Sequence, residues 1–155
     1  MIRLLLTSFV IAALCTAAHA QTTEPPQHQL SYKQLPDVLE RGIDSYKRGG
    51  RNVAVTFWRN EYIPIDKRDA FARKLRNAFQ AAENDYKQLE VVETILKRPV
   101  SSSYVQYYLL FGYEYGVLFV RFDVYDSRMG EQLVECMLTR NPDEILPPLR
   151  EVLDY

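Results

Sequence analysis

The sequence predicts an α+β domain in which two or three N-terminal helices pack on a curved four-stranded antiparallel sheet. Three observations carry that prediction. Between residues 104 and 139, apolar runs rich in Val, Phe and Tyr alternate with short Gly-containing connectors, the pattern of an antiparallel meander. Upstream, two stretches place apolar residues at three- and four-residue steps, the period of a helix with one buried face. Between them and the meander, residues 90–98 (EVVETILKR) supply a further strand that ends at Pro99.

The elements follow in chain order. Residues 1–20 are expected to be a cleaved secretory signal. Arg3 gives a short positive start, residues 4–14 an apolar run, and Ala18-His19-Ala20 a small-x-small cleavage site. The run is shorter than the roughly 20 residues of a membrane span, so no span remains after cleavage. Cys15 follows Leu14 where a lipid-attachment site requires a small residue, so it is not read as an anchor. Residues 21–34, polar with Pro25-Pro26, read as a disordered leader to a single domain over residues 35–155. This organisation implies export to a periplasmic or secreted location.

A first helix begins near Pro36, favoured in a first turn, with Asp37 and Glu40 complementing the helix dipole. Leu35, Val38, Leu39, Ile43 and Tyr46 form its stripe, and Gly49-Gly50 ends it. Residues 52–60 (NVAVTFWRN) fit either a strand through Val53, Val55 and Phe57 or a helix face through Val53, Ala54, Phe57 and Trp58. A long helix over residues 66–88 takes Asp66 as its cap and buries Phe71, Leu75, Ala78, Phe79, Ala82 and Tyr86. The strands of the meander are residues 104–113, 117–125 and 131–139. Asn141-Pro142-Asp143 turns the chain into a tail expected to fold over one end of the sheet.

A two-residue loop at Glu114-Tyr115 sets Phe111 opposite Leu118 and Leu109 opposite Val120. One face then carries Val105, Tyr107, Leu109, Phe111, Leu118, Val120, Phe122 and Val124, and belongs against the helices. The other carries Tyr108, Leu110, Val117, Phe119, Arg121, Asp123 and Tyr125. That face is too apolar for plain contact with water, so it is read as a homodimer surface, with Arg121 and Asp123 placed to pair on it. In the last strand, alternation puts either Val134, Cys136 and Leu138 inward or Leu133, Glu135 and Met137.

Composition narrows the chemistry. Nineteen Lys and Arg against 20 Asp and Glu give a net charge of −1, with no basic patch for nucleic acid. The two histidines are His19 and His28, outside the expected folded region. That excludes zinc sites and triads of the Ser-His-Asp or Cys-His type there, and no cofactor is expected. Cys136 is the single cysteine beyond the signal and reads as a small buried hydrophobe.

The order helix, short helix, long helix and four-stranded sheet, together with the stretches GYEYGVLFVRFDVY (residues 112–125) and TRNPDEILP (residues 139–147), resembles the nuclear-transport-factor-like, cystatin-like cone superfamily. The resemblance covers residues 35–148 and implies a small exported member of it. It makes residues 52–58 a helix, for which Asn52 is the cap. It further implies an apolar pocket at the wide end of the cone and dimerisation through the sheet. It implies no one activity, because the cone hosts isomerases, dehydratases, cyclases and binding modules.

Two functions of different kinds are therefore compared. The first is a non-catalytic module binding a partner protein or a small apolar ligand, with Trp58, Tyr62, Tyr107 and Phe111 as pocket residues. Each of these also reads as plain core. The alternative is a cone-type isomerase or lyase in which a desolvated Glu135 is the base and Tyr107 stabilises an oxyanion. The orientation of Glu135 separates the two.

Overall fold

The structure is a computed structural model that describes residues 35–148. The expected signal, the leader and the last seven residues lie outside that range. Helix α1 (Asp37–Glu61) and helix α2 (Arg68–Tyr86) pack against one face of an open antiparallel sheet of four strands: β1 (Leu89–Pro99), β2 (Tyr104–Tyr113), β3 (Gly116–Ser127) and β4 (Gly130–Thr139). The strands stand in chain order, the α+β meander that the sequence predicts.

The ambiguous residues 52–60 are helical, and α1 is interrupted only at Gly50, with φ 77° and ψ 178°. Glycine adopts that backbone without the penalty a Cβ would add. Asn52 has helical angles, so it is not the cap expected of it; the break itself is Gly50. A straight 25-residue helix would span about 38 Å. Here its two ends touch instead. Tyr62 Oη donates to Asp37 Oδ2 at 2.9 Å, and Trp58 Nε1 donates to the Val38 carbonyl at 2.9 Å. The chain therefore folds back on itself at Gly50, and the indole of Trp58 lies over Gly42, where a Cβ would sit 2.0 Å from it. The start of α1 has no side-chain cap of its own; Glu131 of β4 accepts from the Val38 N–H at 3.0 Å instead.

Helix α2 begins at Arg68 after a turn in which Lys67 N–H donates to the Pro64 carbonyl. Asp66 is therefore not its cap. Phe71, Leu75, Phe79 and Ala82 are buried as the period demands, whereas Ala78 and Tyr86, expected on the same stripe, are only half-buried.

The β2–β3 hairpin has the expected register, with Tyr113 paired to Gly116, Phe111 to Leu118 and Leu109 to Val120. Leu109, Phe111, Val120 and Phe122 are fully buried beneath the helices. Trp58 packs on Phe122 with ring centroids 5.2 Å apart, and Phe79 on Phe111 at 5.3 Å. The last strand resolves its two possible parities by using both. Asp123 pairs with Glu135 but Val124 pairs with Leu133, so Val134 is an extra residue in a β-bulge. Leu133 and Cys136 consequently both point inward and are fully buried, while Glu135 is returned to the outer side.

Edge β4 is covered by the helices. Leu133 N–H donates to the Tyr62 carbonyl at 2.9 Å, and Lys74 of α2 donates to the Cys136 carbonyl. After β4, Asn141 Oδ1 accepts from the Asp143 N–H and caps a 3-10 turn, Pro142–Glu144. The tail then borders β1: an apolar groove of about 640 Å³ lies between Ile95 and Leu96 and the residues from Pro142 to Pro148.

Candidate functional site

Every residue read as dimer face lies on one side of the sheet. Tyr108 is registered with Arg121, Leu110 with Phe119, Gln106 with Asp123, and Tyr104 with Tyr125. Pleating alone brings them together, since residues two apart on a strand share a face. At the centre Arg121 Nε donates to Asp123 Oδ1 at 2.8 Å and a terminal guanidinium nitrogen reaches Oδ2 at 3.3 Å. Tyr104 Oη donates to Asp123 Oδ2 at 2.7 Å, and Gln106 Nε2 contacts the same oxygen at 3.4 Å. Tyr108 Oη in turn donates to Gln106 Oε1 at 3.0 Å.

Asp123 is 2% exposed, although the helices lie on the opposite side of the sheet. Four donor atoms, two of them on the charged Arg121 guanidinium, satisfy and neutralise it within one copy, as a buried carboxylate requires. Burial first, and the bond to Asp123 second, push the Tyr104 phenol up to about 12. Leu110 and Phe119 flank this cluster half-buried, and Tyr125 is exposed. The face is thus an electrically balanced polar centre in an apolar, aromatic setting. Tyr104 and Gln106 were not singled out from sequence, yet strand alternation from Tyr108 places both on this face.

The residues nominated for a pocket are distributed differently. Trp58 and Phe111 are fully buried core, and Tyr107 is buried under the ammonium of Lys97, 5.7 Å from its ring centroid. Tyr62 joins the two ends of α1 through Asp37 and Arg41. The apolar groove beside the tail, and a groove of about 440 Å³ near Tyr46, are lined by other residues.

Glu135 stands on the rim of β4, its side chain 52% exposed, bonded to Lys74 Nζ at 3.0 Å and accepting from the Cys136 N–H at 3.0 Å. Partial burial raises its pKa, but the Lys74 and backbone hydrogen bonds outweigh this and hold the carboxyl below its ordinary value. That is the opposite of what a desolvated base needs. Glu135 and Tyr107 lie on opposite faces of the sheet, so the acid-base pair of the enzymatic alternative is not brought together.

A second polar cluster was not anticipated. Tyr46 Oη donates to Glu83 Oε1 at 2.6 Å, Tyr113 Oη lies 3.3 Å from Tyr46 Oη, and Arg51 pairs with the other oxygen of Glu83. The apolar periodicity hid it, because Tyr46 reads as a stripe residue and its hydroxyl partner is 37 residues away.

Three comparisons were made against this geometry: with protein-family models, with curated proteins and with solved structures. None returns a match. The site must therefore be read from its own chemistry. Among the described residues, no group of three His, Cys, Asp or Glu side chains is placed to hold a metal ion, and no helix is long and apolar enough to cross a membrane.

The tyrosine cluster predicts an alkaline transition. Burial, then the neighbouring Tyr113, raises Tyr46 above the ordinary 10.0, and burial raises Tyr113 to about 12. Folding thus favours the neutral phenols. Their contribution is complete below the unfolded value near 10 and is lost as pH rises through the folded values. Phenolate absorbance and circular dichroism, followed together through an alkaline titration, should show at least three tyrosines, Tyr46 and Tyr113 of this cluster with Tyr104 of the outer face, still neutral well above pH 10. Full ionisation in one step near pH 10 with the fold intact would contradict the cluster.

Proposed function

We propose that this chain is an exported, non-catalytic binding domain of the nuclear-transport-factor-like cone superfamily, and that it self-associates through the outer face of its sheet. Export rests on the pattern of residues 1–20, and the superfamily on element order and the two quoted stretches. The observation that carries the binding role is the Arg121–Asp123 pair, internally neutralised with Asp123 buried, on the sheet face opposite α1 and α2, where Tyr108 is itself buried and Leu110, Phe119 and Tyr125 are left partly or wholly exposed.

A charge satisfied within one copy makes no demand on the partner. Two identical faces can therefore meet about a two-fold axis without juxtaposing like charges, and Leu110, Phe119 and Tyr125 supply the contact area. A partner surface is favoured over a small apolar ligand because Trp58 and Phe111 are committed to the core. Catalysis by Glu135 is disfavoured by its ion pair with Lys74 on the rim of the sheet.

The test is an isotope-filtered NMR experiment on a mixture of labelled and unlabelled full chain. Contacts between copies are expected at Leu110, Phe119 and Tyr125. Contacts between copies confined to β1 or the helices would refute this surface.

A further inference from the structure

The tail after β4 crosses the sheet on the side away from the helices, and its contacts at two strands fix that course. At β4, Thr139 is paired with Phe119 and so shares the outer face; its hydroxyl donates to Glu144 Oε2 at 2.6 Å. At β1, the bulge at Ile95 turns Leu96 to the outer side, where it is paired with Tyr108. Leu96 lines the apolar groove together with Pro142, Leu146 and Pro147. Residues 142–148 thus run from β4 to β1 as a strap over the outer face, with β3 and β2 between those ends. Burial agrees with this course. Tyr108 is 3% exposed and Ile145 6%, and both stand apart from the core that the helices and the inner face share. A tyrosine on a bare sheet face would keep more of its ring in water.

The strap is lightly held. The N–H groups of Ile145 and Leu146 both donate to the Pro142 carbonyl, at 3.1 and 2.8 Å, so its backbone bonds close within itself. Pro147 and Pro148 have no N–H to offer the edge strand β1. Among the described residues, the Thr139–Glu144 bond is its one polar tie to the sheet, and a groove of about 640 Å³ is left between it and β1. Releasing the strap breaks one side-chain hydrogen bond and uncovers Ile145 with the apolar surface beneath it. A second copy seated on that surface would return it to burial.

We propose that the strap is an internal competitor for the association face: it covers Tyr108 and Leu96 in the single copy and is released when a second copy takes its place. This rests on the reading of the outer face as the self-association surface. It extends that surface from Leu110, Phe119 and Tyr125 to the strip beneath the strap. Both copies have to release their straps, so any loosening of the strap enters the dimer constant twice.

The test compares the unmodified full chain with Ile145→Ser and Thr139→Val by sedimentation equilibrium, and by NMR with a soluble paramagnetic probe at concentrations where each is monomeric. Ile145→Ser removes the strap's buried side chain, so the dimer constant is expected to tighten by about a hundredfold, tenfold for each strap. Thr139→Val keeps the branched shape and removes the tie to Glu144. It should tighten the dimer by about tenfold, roughly threefold for each strap. The probe should broaden Leu96 and Tyr108 in Ile145→Ser and spare them in the unmodified monomer. If the unmodified chain dimerises and both variants dimerise equally or more weakly, the strap's role is overturned and the association face stands. Leu96 and Tyr108 as well protected in Ile145→Ser as in the unmodified chain overturn it too. If the probe reports an open strap and none of the three chains dimerises, the association reading itself fails, and the proposal with it.

Discussion

Asp123→Ala is expected to destabilise the domain by about 3–5 kcal/mol, the usual consequence of removing one member of a buried ion pair. Arg121 would keep a charge that is only 19% exposed and lose both of its carboxylate contacts. Tyr104 and Gln106 would lose their acceptor in the same step. Asp123→Asn separates charge from shape. It preserves an acceptor for Tyr104 but not the ionic partner of Arg121, so its cost should be clearly smaller. Urea unfolding followed by circular dichroism gives both values. A cost below about 1 kcal/mol for the alanine variant would place Asp123 among ordinary surface pairs and remove the basis for a special outer face.

Trp58→Ala should cost about 3–5 kcal/mol, because a fully buried aromatic leaves a cavity that the surrounding helices and sheet can only partly close. The indole does more than fill volume. It touches Phe122, lies over Gly42 and donates to the Val38 carbonyl, so it ties the two halves of α1 together across the Gly50 break. Gly42→Ala probes the same contact from the other side. Helix propensity alone would stabilise that variant by about 1 kcal/mol. A Cβ placed 2.0 Å from the ring must instead displace it, so a net loss of about 1–3 kcal/mol is expected. A Gly42→Ala variant as stable as the unmodified chain would contradict the folded-back arrangement of α1.

Much of the architecture was legible because it depends on local periodicity. The stripe from Val38 to Tyr46 buries the residues that its spacing marks, and that from Phe71 to Ala82 does so except at Ala78, which is half-buried. The two-residue loop at Glu114-Tyr115 determines the β2–β3 register, and with it the two faces of the sheet. What local pattern could not reveal depends on long-range geometry. Parity offers only two choices for β4, whereas the bulge at Val134 mixes them and turns Leu133 and Cys136 to the same side. The caps expected at Asn52 and Asp66 are displaced because Gly50 itself breaks α1 and a turn over Pro64 begins α2 one residue beyond Lys67.

The site was legible by halves. The outer-face residues follow from alternation, as does the pairing of Arg121 with Asp123 across one pleat. The pocket residues did not assemble, since Trp58 and Phe111 have the same aromatic signature whether they line a cavity or fill a core. The cluster of Tyr46, Glu83, Arg51 and Tyr113 left no local trace, being drawn from α1, α2 and β2 by the fold.

Sedimentation equilibrium of the full chain and of a Leu110→Glu variant, over a range of micromolar concentrations, is the most direct test of self-association through the outer sheet face. A concentration-dependent dimer for the unmodified chain, and a folded monomer for Leu110→Glu, is the predicted result. A monomer throughout for the unmodified chain, or a dimer unaffected by a carboxylate at position 110, would contradict the account.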